Sequence, residues 1–257
     1  MTKLHARPLT LLLLIASLGC DVKVNDKGFA LNLGRADATD EWTRTYQLPA
    51  GGRLEIVNTN GLIEVSGSDG PGVDVRAERR ARAGSQDEAA QLLKKLDMRE
   101  EVSPTRVKIE ASSATESSGF GRNEFDIQYH VRVPAGLMLS FRTSNGAIRL
   151  QNINGQITAA TTNGGVQADL STISGDVTLA TTNGGVRLDL PTDVKANLDA
   201  ACVNGGISID DQFKVNTQSD NSRCRVSAAL NGGGPRISAA TVNGGIRIRA
   251  RGGRQSD

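Results

Sequence analysis

Asn163-Gly164-Gly165-Val166-Gln167-Ala168 and Asn183-Gly184-Gly185-Val186-Arg187-Leu188 are one phrase written twice: an Asn-Gly corner, then apolar residues at every second position. The phrase returns at Asn145, Asn204 and Asn243. A degenerate copy, Asn221-Ser222-Arg223-Cys224-Arg225-Val226, lies between the last two. The steps between these asparagines are 18, 20, 21, 17 and 22 residues, and a period near twenty marks a repeat architecture. An earlier copy, Asn60-Gly61 followed by Ile63 and Val65, places the first turn of the stack well ahead of the others. Asn60, Asn145, Asn163, Asn183, Asn204 and Asn243 are therefore the expected structural turns.

Weaker corners at Asn154-Gly155, Ser174-Gly175 and Asn231-Gly232 fall about halfway through the period, so each turn holds at least two strands. The local pattern admits two architectures. A hairpin meander would use Asn and Gly for their tolerance of positive φ. A parallel solenoid would stack like residues at matching positions in every turn, and copies that recur at the full period, not as mirror pairs, favour it.

Composition suits a stacked fold. With 29 glycines and 3% aromatic residues the chain offers a thin core of Val, Ile, Leu and Ala, which is all that turn-on-turn burial requires. The 30 basic residues exceed the 28 acidic ones by two, the number that Lys3 and Arg7 contribute near the N-terminus. The basic balance of a nucleic-acid binder is missing, and no nucleic-acid partner is expected.

Lys3 and Arg7 precede the apolar run Leu9 to Ile15, and Ser17-Leu18-Gly19-Cys20 follows. A basic region, a short apolar run and a small-residue exit describe a secretory signal over 1–19, too short to span a bilayer. The cysteine at the boundary makes it resemble a bacterial lipoprotein signal, with Cys20 lipidated and the membrane a partner through acyl chains. An ordinary cleaved signal with an incidental cysteine is the alternative. Export places Cys202 and Cys224, 22 residues apart, in an oxidising compartment. Cys202 stands where the other copies have Thr143, Thr161, Thr181 and Thr241; Cys224 stands in the inward apolar place of its copy. A disulfide between neighbouring turns fits them, as do two buried free thiols.

Residues 20–41 are polar and aperiodic and read as a tether, with the folded domain over 42–250 and a tail at 251–257. An excursion at 78–136 carries the one expected helix, about 86–99. Ser85 and Glu88 form a capping box there, and Ala89, Leu92, Leu93 and Leu96 share a face. Strands at 107–111 and 125–133 follow.

Taken in order, the leader, the first Asn-Gly module, the helix-bearing excursion, the Val133-Pro134-Ala135-Gly136 junction and the Thr-Ser-Asn-Gly and Thr-Thr-Asn-Gly-Gly copies resemble the bacterial "putative adhesin" family of unknown function. The resemblance covers most of residues 45–250. It implies an all-β, right-handed parallel β-helix-like solenoid, with turns of about twenty residues, in an exported protein. It brings no catalytic residues and no cofactor.

Beyond the leader, which holds His5, the sequence has only His130, on a strand, so histidine catalysis and a structural zinc site are not expected. Asp169, Asp189 and Asp210 occupy one outward position in consecutive copies. Stacked in register, they would stand about 4.8 Å apart. Arg149, Arg187 and Arg247 nearby would balance them, or a weak Ca²⁺ site would form, as in a Ca²⁺-dependent polysaccharide lyase. Thr161, Thr162, Thr181 and Thr182 would build hydrogen-bond ladders with the asparagines or present a polar face to glycans. Arg247, Arg249, Arg251 and Arg254 would protect a last edge strand or bind anions. The expected function is a non-enzymatic envelope lipoprotein, an adhesive or scaffolding surface whose partner is an envelope protein or glycan. The alternatives are a stress-signalling partner of a membrane regulator and the lyase.

Overall fold

The computed structural model describes residues 21–25, 28–32, 36–113, 124–217 and 224–251. Two short strands, β1 (Asp21–Asn25) and β2 (Gly28–Asn32), pair antiparallel with each other. The chain continues through β3 (Ala36–Gln47), β4 (Arg53–Asn60), β5 (Ile63–Gly67), β6 (Gly72–Ala83), α1 (Gln86–Lys95), β7 (Leu96–Ser103), β8 (Arg106–Ser113) and β9 (Glu124–Val133). The repeats then supply strands in pairs: β10 (Met138–Asn145) with β11 (Ile148–Ile153), β12 (Gln156–Asn163) with β13 (Val166–Leu170), β14 (Val177–Asn183) with β15 (Val186–Leu190), and β16 (Ala196–Asn204) with β17 (Ile207–Ile209). Two further strands, β18 (Val215–Thr217) and β19 (Arg225–Leu230), precede the last pair, β20 (Arg236–Asn243) and β21 (Ile246–Ala250).

Each pair puts one strand in each of two sheets, in the orders β18-β19-β16-β20-β14-β12-β10-β4-β8-β7 and β17-β21-β15-β13-β11-β5-β9-β6-β3. The repeat strands pair parallel and in register, with Asn145 opposite Asn163 and Asn163 opposite Asn183. The solenoid is present and the meander is not. Between the sheets lie Ile148 and Leu150, Val166 and Ala168, Val186 and Leu188, Ile246 and Ile248, all at most 2% exposed.

The corners stack because they are glycine. The N–H of Gly146 donates to Asn163 O at 2.9 Å, and that of Gly164 to Asn183 O at 3.0 Å. At Gly184 a Cβ would lie 2.0 Å from Gly164 O, and at Gly205 1.8 Å from Gly244 O. Backbone approach, not the positive φ of a hairpin, is what excludes a side chain here.

Spatial order departs from chain order at both ends. The turn made by β8 and β9 lies outside the turn made by β4 and β5, while β10 and β11 dock on the inner side of that first turn. At the other end β20 and β21 slot between β14/β15 and β16/β17, so Asn183 faces Asn243 and Asn243 faces Asn204. Two positions favour this transposition. Thr241 donates to Gly184 O at 2.8 Å, a bond that disulfide-bonded Cys202 could not make from the same layer. Arg249 stands opposite Asp189, where the turn of β16 and β17 would instead have brought Asp210.

Several expectations are corrected. The last repeat is internal, so Arg247 and Arg249 lie on a strand flanked by β15 and β17 and guard no edge; Arg254 lies outside the described residues. The degenerate copy is no parallel turn: β19 runs antiparallel to β16, and β18 antiparallel to β19, capping that sheet. Cys224 precedes β19, outside the inward column, and is bonded to Cys202 with Cα atoms 4.7 Å apart. The expected tether contains β1 and β2 as well as the start of β3, a long strand antiparallel to β6. Only Ala38, Trp42 and Tyr46, every fourth residue, are buried along β3, which hides its alternation. Helix α1 ends at Lys95, not 99, because Leu96 and Met98 already alternate inward as strand residues. Its capping Ser85 Oγ accepts from the Glu88 N–H at 3.3 Å, and Ala89, Leu92 and Leu93 pack it on β3 and β6. Cys20, the signal and most of the expected tail lie outside the described residues.

Gly184→Ala forces a Cβ onto a neighbouring carbonyl and should cost about 1–3 kcal/mol. Gly206→Ala meets no atom within 4 Å and should change stability little. Thermal melts of the two variants decide this, with equal melting temperatures counting against the glycine contact as the cause.

Candidate functional site

The six corner asparagines form one continuous side-chain ladder. Nδ2 of Asn145 donates to Oδ1 of Asn60, Asn163 to Asn145, Asn183 to Asn163, Asn243 to Asn183, and Asn204 to Asn243, each at 2.8 Å. Parallel register places identical amides one strand apart, and an amide that both donates and accepts is the group that can repeat this bond indefinitely. Five of the six are exposed, and Thr162 and Thr182 are exposed beside them.

Beneath the amides runs a second ladder of threonine hydroxyls. Thr161 donates to Gly146 O at 2.8 Å, Thr181 to Gly164 O at 2.7 Å and Thr241 to Gly184 O at 2.8 Å. In the first turn Asn58 holds the threonine position, and its Nδ2 donates to Gly61 O at 3.3 Å and Ile127 O at 3.0 Å. The Gly61 carbonyl would otherwise serve Thr143, whose buried hydroxyl has no partner. Sequence reading passed over Asn58, although its place two residues before Asn60 was the available signal.

On the other side of the corner a groove of about 820 Å³ runs across the strands. The second corner glycines Gly165, Gly185, Gly245 and Gly206 lie along it. One wall is the outward row Arg149–Gln167–Arg187–Arg247–Ser208, continuous in register through β11, β13, β15, β21 and β17. Arg187 is tied to Asp189 at 2.9 Å; Arg149 and Arg247 have no ion pair among the described residues.

Two residues further along each strand is the aspartate row, and it is not the column of three carboxylates that the copies suggested. Arg249 intervenes, giving Asp169–Asp189–Arg249–Asp210. Asp189 lies 4.0 Å from Arg249 as well as 2.9 Å from Arg187, and Asp169 lies 2.9 Å from Arg251. The Arg251 side chain also donates to Asn152, so it is docked and is no part of a free tail. Among the described residues no cluster of three His, Cys, Asp or Glu side chains could hold a metal. His130 pairs with Glu64 at 3.1 Å on the outer face.

Asp210 titrates below the usual carboxylate range. The Gln212 N–H donates to it at 3.0 Å, the chief cause, with the Ala250 N–H at 3.3 Å and the nearby Arg249 charge adding to it. Burial raises two phenols: Tyr129, and Tyr46, whose hydroxyl also donates to Glu100 at 2.5 Å.

Residues 137–249 match the family model described as Toastrack DUF4097. The crystal structure of a putative cell adhesion protein from Clostridium sporogenes superposes with a TM-score of 0.55 at 13% identity, covering 83% of this chain and 100% of that one. A putative adhesin from Bacteroides fragilis gives a TM-score of 0.32 at 11% identity, over 82% and 97% of the two chains, a superposition too loose to bear on the fold. No curated protein matches the chain. At such identity the Clostridium structure establishes a shared fold and nothing about activity.

Two outcomes follow from the geometry. Asn183→Ala removes two ladder bonds and Asn204→Ala one, so the first should destabilise by about 1 kcal/mol and the second by roughly half that; equal losses in denaturant titrations would dissolve the idea of a continuous ladder. For Asp210 the depressed folded value means that its ionised form stabilises. That contribution is in place above the unfolded value of about 3.9 and disappears as pH falls through the folded value. Melting curves of the wild type should show this acid step, and Asp210→Asn should lack it.

Proposed function

We propose, for a chain whose residues 137–249 match the Toastrack DUF4097 family model, a non-enzymatic role at the cell envelope: a stacked polar surface that adheres or scaffolds by many weak contacts. The observation that carries this reading is the unbroken asparagine ladder with Thr162 and Thr182 exposed alongside it. One group repeated at about 4.8 Å offers a partner many equivalent small contacts, which add through effective concentration and not through one deep pocket. The name of the Clostridium structure, a putative cell adhesion protein, points the same way.

The rest of the reading concerns setting. The coil is right-handed, as connections between parallel strands of one sheet overwhelmingly are. The signal at 1–19 exports the chain, and lipidated Cys20 holds it to a membrane. The oxidising compartment keeps the Cys202–Cys224 disulfide closed, contributing about 3 kcal/mol to the capped end.

Protease shaving of intact cells, with a Cys20→Ala control, tests the surface role. Digestion of the anchored protein on intact cells, and its loss from the membrane fraction in the control, are the expected results. Protection until the outer barrier is broken would overturn the adhesive reading in favour of an internal envelope partner.

A further inference from the structure

We infer that the groove along the corner glycines is a binding site for a linear carboxylated polysaccharide lying across the strands. This deepens the adhesive-surface reading and rests on it. Guanidinium groups line one wall of the groove, and the exposed amides stand beyond its glycines, outside the lining itself. Arg149 and Arg247 bear guanidinium groups with no ion pair among the described residues, and Arg187 between them is 44% exposed despite its contact with Asp189. Two residues before the groove's glycines stands the amide ladder. Each rung from Asn145 to Asn204 uses one N–H on the neighbouring rung, and a primary amide has two, so one donor per rung remains for a ligand.

The spacing selects the shape of the ligand. Arg149 and Arg187 are two strands apart, about 10 Å, and Arg247 stands one strand, about 4.8 Å, beyond Arg187. A single small anion cannot reach all three, whereas an extended polymer with a negative charge on successive units can. From Gly165 to Gly206 the glycines leave a strip of floor without side chains, bounded by Ala147 at one end, so a flat chain can lie close to the backbone.

Charge supports the same choice. The carboxylates nearest the arginine row do not repel an incoming polyanion at full strength, because Asp189 is held by Arg187 and Arg249, and Asp169 by Arg251. Arginine forms bidentate bonds with carboxylates, which a hydrated point charge would not do. The groove contains no aromatic side chain on which a base could stack, which disfavours single-stranded nucleic acid. An anionic bilayer would meet the same arginines, but three arginines in a row spread over four strands inside a groove suit a narrow chain better than a plane of headgroups.

The test uses the full chain in detergent, with binding followed by calorimetry against polygalacturonate, galacturonate monomer, neutral dextran and phosphatidylglycerol vesicles. Polygalacturonate alone should bind, and more weakly as salt rises, since exposed charges are screened over about 8–10 Å. Arg149→Gln with Arg247→Gln should weaken binding about tenfold without shifting the melting temperature. Arg142→Gln, on the other sheet, removes one arginine charge away from the groove and should leave binding unchanged. No binding to polygalacturonate at low salt, equal binding of the monomer, preference for the vesicles, or an equal loss in Arg142→Gln would each overturn the inference. Failure here on cells whose surface protein is digested removes this ligand and leaves the adhesive reading in place; protection from protease removes the adhesive reading itself.

Discussion

Between neighbouring turns the corner backbones approach so closely that a Cβ on the first glycine would lie about 2 Å from the next carbonyl oxygen. That contact, with the glycine N–H donating to the asparagine carbonyl beside it, leaves the turns no freedom to slide. A slip of one residue in one direction would put Asn163 where Gly164 has to be, and a slip in the other would turn every inward side chain of the turn outward. Once register is fixed at the corner, everything along the turn becomes a column: amides on amides, threonine hydroxyls on glycine carbonyls, aliphatic side chains in the core, and outward rows of arginine and aspartate. The groove is a by-product of the same constraint, since the second glycine of four corners, Gly165, Gly185, Gly245 and Gly206, adds a row without side chains.

The repeats are interchangeable in the core, so the order of stacking is settled elsewhere. All the inner copies present Val or Ile followed by Ala, Leu or Ile, and any could dock on any other. The choice falls to residues that differ between copies, Thr241 against Cys202 and Arg249 against Asp210. Two carboxylates one strand apart repel by roughly 1 kcal/mol even in bulk water, so placing an arginine after Asp189 is worth a layer's rearrangement. The outer turns face another problem, because an unpaired parallel strand invites further strands. Antiparallel β7 closes one sheet next to β8 and β19 closes it next to β16, while β6 and β3 cover β9 in the other sheet.

This division explains what could be read from the sequence. The six asparagines, the inward pairs from Ile148 to Ile248 and the helix cap at Ser85 follow local rules with strong signatures, and they stand where the pattern put them. The stacking order does not, because repeats of equal period are compatible with any permutation, and a five-residue linker such as 191–195 can span one layer or two. The aspartate column and the protected edge were consequences of assuming chain order, and both fail at the single strand β21. The start of the long strand β3 reads as tether because its buried residues recur every fourth position and are separated by charged ones that pair with β6, Asp40 with Arg79 and Asp37 with Arg82. Cys224 matched a repeat in composition while belonging to a strand of opposite direction.

The transposed last turn also bears on how the molecule comes into being. A simple solenoid can grow like a zipper, each turn docking as it emerges, with a finished surface at every stage. Here β14 and β16 are separated by a slot one strand wide, and its occupant, residues 236–250, is synthesised after the strands on either side of it. Until those residues arrive, Asn183 and Asn204 lack their common neighbour and the row of arginines is broken. The surface is therefore assembled only when the keystone is seated, and a chain interrupted in transit presents an incomplete one.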